Sequence, residues 1–304
     1  MWAATTNMYI EVALQEFTTY YHVIKGYSKD TIRRYHDCIL NLCKVHRVTT
    51  FDEINADIIR TFFYTGRIER QWKSSTFRTY HKTLLVFFRW AVDRHYIASN
   101  PVADIEIPRL EKTLPPKLTK QVALTLLESV YNYPYENRFL RCRNHAMFAT
   151  FLYAGLRKSE LLHLRFTDVD LENLTIFVSQ GKGAKDRIIP ISFTLAQSLR
   201  RYADERKRLK KTCPEFFASF NRNMGLTENG LKHLTDDIKG SSNIQFSVHK
   251  LRHTFATLML EGGCDIYSLS KMMGHSDIKT TTIYLAASAE HLRSQMIKHP
   301  LNNI

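Results

Sequence analysis

Apolar residues recur every three or four positions from Met8 to about Thr19 and again from Ser28 to about Val45, which predicts two amphipathic helices. Ser28 reads as the N-cap of the second, with Asp30 in its first turn and Tyr35, Ile39 and Leu42 along its buried stripe. Residues 52–65 and 74–95 predict two more. In the last, Tyr80, Leu84, Phe87, Phe88 and Ala91 form the inward stripe, while Lys73, Arg78, Lys82, Arg89 and Arg94 decorate the remaining surface.

Across residues 98–118, Asn100-Pro101, Pro108 and Pro115-Pro116 interrupt the helical pattern, so this stretch reads as a linker. Thr119 then caps a helix reaching about Tyr131, and a longer helix runs from about Asn137 to Tyr153. Gly155 breaks it, and Arg157 opens another whose Leu161, Leu162 and Leu164 point inward. Between Leu174 and Ile191 the period changes to two, and Thr175–Val178 and Arg187–Ile191 predict a β-hairpin with Lys182 at its tip between two glycines. Beyond it a basic helix is expected over 194–211, a short strand over 215–220 and a helix over 227–238.

The most informative stretch is 247–284. On a helix, His249, Arg252 and His253 fall at i, i+3 and i+4 and share one face, with Leu251, Phe255 and Leu258 opposite. Gly262-Gly263 supplies a helix stop. A second helix follows from about Asp265, with Ile266, Leu269, Met272 and Met273 as its core positions, and Gly274-His275 ends it. By itself a turn histidine followed nine residues later by Tyr284 is an ordinary pattern.

Composition narrows the chemistry. A chain of 304 residues with 44% hydrophobic content is long enough for two packed cores. A formal charge of +14, with an excess of cations in both halves and more in the second, points to an anionic partner, and nucleic acid suits it best. The five cysteines (Cys38, Cys43, Cys142, Cys213 and Cys264) form no Cys-x-x-Cys pair, so neither a disulfide framework nor a zinc module is indicated. Residues 1–7 carry no secretory signal pattern and no apolar run approaches a membrane span, which sets the expectation of a cytoplasmic, nucleoid-associated protein without a membrane partner.

Four motifs, taken together, resemble the tyrosine recombinase (phage integrase) family, most closely its short, two-domain Xer-like members. They are Gly155-Leu156-Arg157-x-Ser159-Glu160-Leu161, then Gly181-Lys182-Gly183-x-Lys185-x-Arg187, then His249-x-Leu251-Arg252-His253, and Gly274-His275-Ser276 followed by Thr280-Thr281-Thr282-Ile283-Tyr284. The resemblance covers nearly the whole chain. It implies a mainly α protein with a small β-sheet (α+β): an all-helical core-binding, DNA-clamping domain over 1–105, a linker over 106–117, and a catalytic domain with a C-terminal tail helix over 118–304.

It also implies roles. Arg157 and Arg252 would clamp the non-bridging oxygens of one DNA phosphate, for which planar forks of donors are suited. Tyr284 would be the nucleophile, leaving a 3′-phosphotyrosyl link; Lys182 would protonate the leaving 5′-oxygen. His275 would bind the scissile phosphate and His249 would act as general acid/base, taking the Tyr284 proton. No cofactor and no metal are implied. The implied partners are double-stranded DNA carrying two recombination sites and a homotetramer on that DNA, with a related recombinase or accessory protein as a further possibility, in dimer resolution or mobile-element integration and excision.

Three other classes share part of this pattern. A zinc hydrolase is suggested by His249-x-x-x-His253, but position 250 is lysine where such motifs carry glutamate. A non-catalytic DNA-binding protein accounts for the charge but not for six site residues in family order. A type IB topoisomerase shares the arginine–histidine–tyrosine chemistry and is distinguished by relaxing DNA without joining two sites. The Leu285, Ala289, Leu292 and Met296 stripe after the tyrosine predicts a terminal helix, which the resemblance implies is passed to a neighbouring subunit.

Overall fold

The computed structural model describes residues 8–110, 115–179, 186–275 and 277–287. The chain divides into two compact units, Met1–Lys112 and Thr113–Ile304.

The first unit is built on four helices: α1 (Ile10–Val23), α2 (Lys29–His46), α3 (Ala56–Ile68) and α4 (Ser74–Asp93). Ser28 caps α2 by accepting from the Thr31 N–H, as its position predicts. The helix expected over 52–65 starts later: Thr50 and Glu53 close a short 3₁₀ turn, and Asn55, accepting from the Ile58 N–H, begins α3 anew. Aromatic side chains fill the interior. Phe17, Phe62, Phe87 and Phe88 are buried, with Phe17 meeting Phe87 edge to face at 5.2 Å. Trp72 stacks on Tyr80 at 4.2 Å, which leaves Tyr80 half-buried at the end of the α4 stripe.

The second unit is organised on α6 (Arg138–Ala154), which follows α5 (Lys120–Asn132) and is buried along most of its length. Thr119 and Asn137 are the respective N-caps. After α6 come the short α7 (Lys158–His163) and a three-stranded antiparallel sheet, β1 (Val169–Asp170), β2 (Thr175–Val178) and β3 (Arg187–Pro190), in sequential order. Register pairs Ile176 with Ile189 and Val178 with Arg187, so alternation points Ile176, Val178 and Ile189 inward and puts a charged residue, Arg187, on the same inner face. That charge needs a buried partner.

Helix α8 (Phe193–Arg208) packs on α6 and is followed by α9 (Glu228–Ser242), α10 (Val248–Glu261), α11 (Ile266–Met273) and α12 (Lys279–Ala287). The strand expected over 215–220 does not form; only isolated bridges, Arg165 to Glu215 and Ala218 to Gly225, occur there. Its β-rich composition reflects burial of Phe216 and Phe217, and its backbone is held by side chains instead of a ladder. Tyr202 accepts from the Ala218 N–H, and Arg206 donates to the carbonyls of Cys213, Glu215 and Phe216. Among the described residues no helix is long and apolar enough to cross a membrane.

Candidate active site

Four elements of the second unit bring charged and nucleophilic side chains together. The first is the α6–α7 corner. Gly155 ends α6 in the left-handed conformation (φ +62°), and a Cβ there would run into the Phe255 ring of α10. Glycine lets α10 approach this closely. Arg157 is the N-cap of α7, and Glu160 reaches back to accept from the Arg157 N–H at 2.7 Å.

Glu160 is the hub. Its Oε1 lies 2.6 Å from Arg157 Nη1, and Arg187, from β3, forks onto both carboxylate oxygens at 3.1 and 2.8 Å. Arg252 Nη1 stands 3.8 Å away. Burial alone would raise the Glu160 carboxyl, but hydrogen bonds and charge from Arg187, then bonds from Arg157, overcome it and hold the group down at about 2. Three guanidiniums against one carboxylate leave the cluster net positive.

The same three arginines grip the C-terminus of α11 through three consecutive carbonyls. Arg187 Nε donates to Met272 O at 2.7 Å, Arg252 Nη2 to Met273 O at 2.6 Å, and Arg157 Nη2 to Gly274 O at 3.0 Å. Unpaired carbonyls at a helix C-terminus carry its negative dipole end, which suits cations. Arg252 also donates to Gly155 O at 2.6 Å, so it ties α10, α11 and the α6–α7 corner together. Burial pushes its pKa down to about 10, helped by Arg157, and it keeps its charge at neutral pH.

Gly274, again left-handed (φ +64°), turns the chain so that His275 faces the cluster. Its Nε2 lies 3.4 Å from Arg252 Nη2 and its Nδ1 2.8 Å from Thr281 Oγ1. A guanidinium only donates, so the facing Nε2 is the lone-pair nitrogen and Nδ1–H donates to Thr281. Burial, followed by Arg252 and Arg157, lowers the His275 pKa to about 4. His249 is lowered for the same reasons, in the same order.

Tyr284 sits in α12, buried in a small apolar cluster with Phe255, Ala256, Leu260, Leu269 and Met273. Burial raises its pKa, while Arg252 and then Arg157 pull it down. Its hydroxyl lies 2.8 Å from His253 Nδ1, and His249 packs edge to face on His253 with ring centroids 4.3 Å apart. One helical turn of α10 puts both imidazoles on the site face: His249, expected to take the Tyr284 proton, stands beside His253, and the ring in hydrogen-bond contact with the hydroxyl is that of His253. His253 is held low, at about 4, by burial, His249 and Arg252.

Of the six residues singled out in the sequence, Arg157, Arg252, His275 and Tyr284 converge here, and His249 borders them through His253. Lys182 lies outside the described residues, as does the tail beyond Ala287. Sequence reasoning gave no role to His253 or Arg187. For His253 the available signal was its place one residue after Arg252 and one turn after His249; for Arg187 it was a charged residue at an inward strand position.

Residues 117–291 match the sequence profile of the phage integrase family, and residues 13–98 match that of the phage integrase N-terminal SAM-like domain. The chain is 30% identical over 297 residues to the tyrosine recombinase XerC of Bacillus licheniformis, covering 93% of this chain and 94% of that protein. It is 28% identical over 296 residues to the tyrosine recombinase XerD of Staphylococcus aureus, covering 93% and 97%. Among solved structures, the XerH site-specific recombinase bound to a palindromic difH substrate in a post-cleavage complex has a similar fold (TM-score 0.71, 21% identity, 93% of this chain and 83% of that one).

Proposed function

Since this chain belongs to the phage integrase family and is a tyrosine recombinase, an enzyme that breaks and rejoins DNA in site-specific recombination, we propose that it cuts duplex DNA by transesterification through Tyr284. The observation that carries this reading is the convergence of a buried tyrosine hydroxyl with Arg157, Arg252 and His275 from four separate elements of one unit.

Arg157 and Arg252 bind the non-bridging oxygens of the scissile phosphate. Each guanidinium is a planar fork of N–H donors, and the charge that grows on the phosphoryl oxygens is met by cations already in place. The Tyr284 oxygen attacks phosphorus, forms a 3′-phosphotyrosyl bond and displaces the 5′-oxygen. Lys182 protonates that leaving oxygen, a role resting on the Gly-Lys-Gly resemblance. The bond energy is kept in the phosphotyrosyl link, so a 5′-hydroxyl reverses the step without a nucleotide. His275 contacts the same phosphate, whose negative charge offsets the field of Arg252 and Arg157 and lets the ring carry a second proton and donate. His249 supports the proton transfers from beside His253.

The substrate is duplex DNA with two recombination sites, bound by a homotetramer, in the cytoplasm. The first unit, with Arg78, Lys82 and Arg89 along α4, contributes phosphate contacts that weaken as salt rises. The test is Tyr284→Phe, which removes one hydroxyl and keeps the ring in its apolar cluster. Duplex binding is expected to stay near wild type while covalent protein–DNA complex is lost. A covalent complex recovered from that variant would refute the assignment.

A further inference from the structure

The three imidazoles around Tyr284 are not equivalent. His275 has both ring nitrogens engaged, Nδ1 with Thr281 and Nε2 facing Arg252. His249 meets the ring of His253 edge to face. Only His253 places a nitrogen on the reacting oxygen, 2.8 Å from Nδ1 to the Tyr284 hydroxyl, across 31 residues of sequence. The contact follows from α10 packing against α12, which places Tyr284 in one apolar cluster with Phe255, Ala256 and Met273. Hydrogen-bond distance to the proton it removes is the first requirement of a general base.

Resting on the recombinase reading above, we propose that His253, and not His249, is the general base that takes the Tyr284 proton during cleavage and returns it during rejoining. In the resting site the phenol O–H donates to Nδ1, and Nε2 carries the ring proton. As the Tyr284 oxygen bonds to phosphorus, its proton passes to Nδ1, the P–O5′ bond breaks, and the leaving 5′-oxygen takes a proton from the general acid. Rejoining runs the same steps backward: the 5′-hydroxyl gives up its proton, the phosphotyrosyl bond breaks, and His253 hands its extra proton to the departing phenolate. An imidazolium beside Arg252 and His249 is held only while the phosphate's charge is close, so it surrenders the proton readily. That property suits a reaction in which tyrosine must be a good nucleophile and then a good leaving group.

The contacting atom is Nδ1, and the amide of asparagine is its near isostere, so His253→Asn keeps an acceptor for the hydroxyl but cannot hold a proton. The probe is a nicked duplex whose sequence is read from DNA covalently held by the wild-type chain. Single-turnover formation of the covalent complex is measured for wild type, His253→Asn, His253→Ala and His249→Ala, with duplex binding followed in parallel. A general base contributes about 10²- to 10⁴-fold, so a loss of that size is expected for His253→Asn with binding unchanged. Added imidazole should restore part of the rate to His253→Ala, a response that a packing defect would not give. His249→Ala should lose less than His253→Asn. A wild-type rate for His253→Asn, or imidazole rescue of His249→Ala in place of His253→Ala, overturns the inference while leaving the recombinase reading intact. Absence of any covalent complex with the wild-type chain overturns the recombinase reading itself.

Discussion

Replacing Glu160 by glutamine keeps the size of the side chain and removes the charge on which three arginines depend. Its oxygens accept from the Arg157 backbone N–H, from Arg157 Nη1 and from both Arg187 nitrogens, at 2.6 to 3.1 Å. Glutamine offers one acceptor oxygen, and its amide N–H groups point at other donors. Two routes give the magnitude. The carboxyl falls from 4.5 to about 2 on folding; at about 1.4 kcal/mol per pH unit this corresponds to roughly 3 kcal/mol. Removing one partner of a buried ion pair costs about 3–5 kcal/mol by general experience, and both Glu160 and Arg187 side chains are only 7% exposed. The routes agree. Far-UV circular dichroism in urea measures the loss, expected as a lower midpoint and about 6–12 °C in thermal transition at about 2–4 °C per kcal/mol. Glu228→Gln is the control, because its pair with Lys158 leaves the two side chains 63% and 49% exposed, where an ion pair contributes about 0–1 kcal/mol. Covalent cleavage should slow in Glu160→Gln by about 10²-fold if the guanidiniums shift by an ångström. A stability loss below about 1 kcal/mol, equal to that of Glu228→Gln, would refute the view of Glu160 as the anchor of the cluster.

Gly155→Ala should destabilise by about 2–5 kcal/mol, combining the left-handed backbone with overpacking against Phe255, and a urea midpoint close to wild type would contradict it. Acid should act in two stages. His253 and His275 titrate at about 4 in the folded chain against 6.5 ordinarily, so the stability they contribute is complete above 6.5 and is lost as pH falls from there to 4. Glu160, depressed from 4.5 to about 2, then loses its contribution between those values. Urea midpoints recorded between pH 7 and 2 should decline through both windows, and a flat profile above pH 4.5 would count against the histidine field.

The helices were legible because each buries one face, and a 3.6-residue period with polar caps leaves its trace in the sequence; Ser28 and Thr119 cap where expected. Residues 215–220 form no strand although Phe216, Phe217 and Phe220 suit one, because a short aromatic run looks alike whether a ladder or side chains such as Tyr202 and Arg206 hold its backbone. The two-residue β1 is too short to carry a period. In the site, Arg157, Arg252, His275 and Tyr284 stood out because local motifs carried them. The ties between them did not, since Arg157 meets a carbonyl 117 residues away and Arg187 meets Glu160 across 27, separations that no periodicity records. The contact of His253 with the Tyr284 hydroxyl depends on the packing of α12 against α10, which sets the position of one hydroxyl.

The three arginines hold the end of α11 by main-chain oxygens at positions 272, 273 and 274, and the chain's freedom to drift follows from that. A carbonyl is the same on every amino acid, so the grip is blind to which side chains stand at 272 and 273. Mutations there are screened only for helix formation and, at the buried position 273, for fit to the apolar cluster. A methionine or a leucine at 273 presents the same oxygen to Arg252. Only position 274 is constrained by its backbone, because its left-handed turn selects glycine. The junction between the arginine cluster and the helix that carries Tyr284 can thus absorb substitution over generations without moving either one.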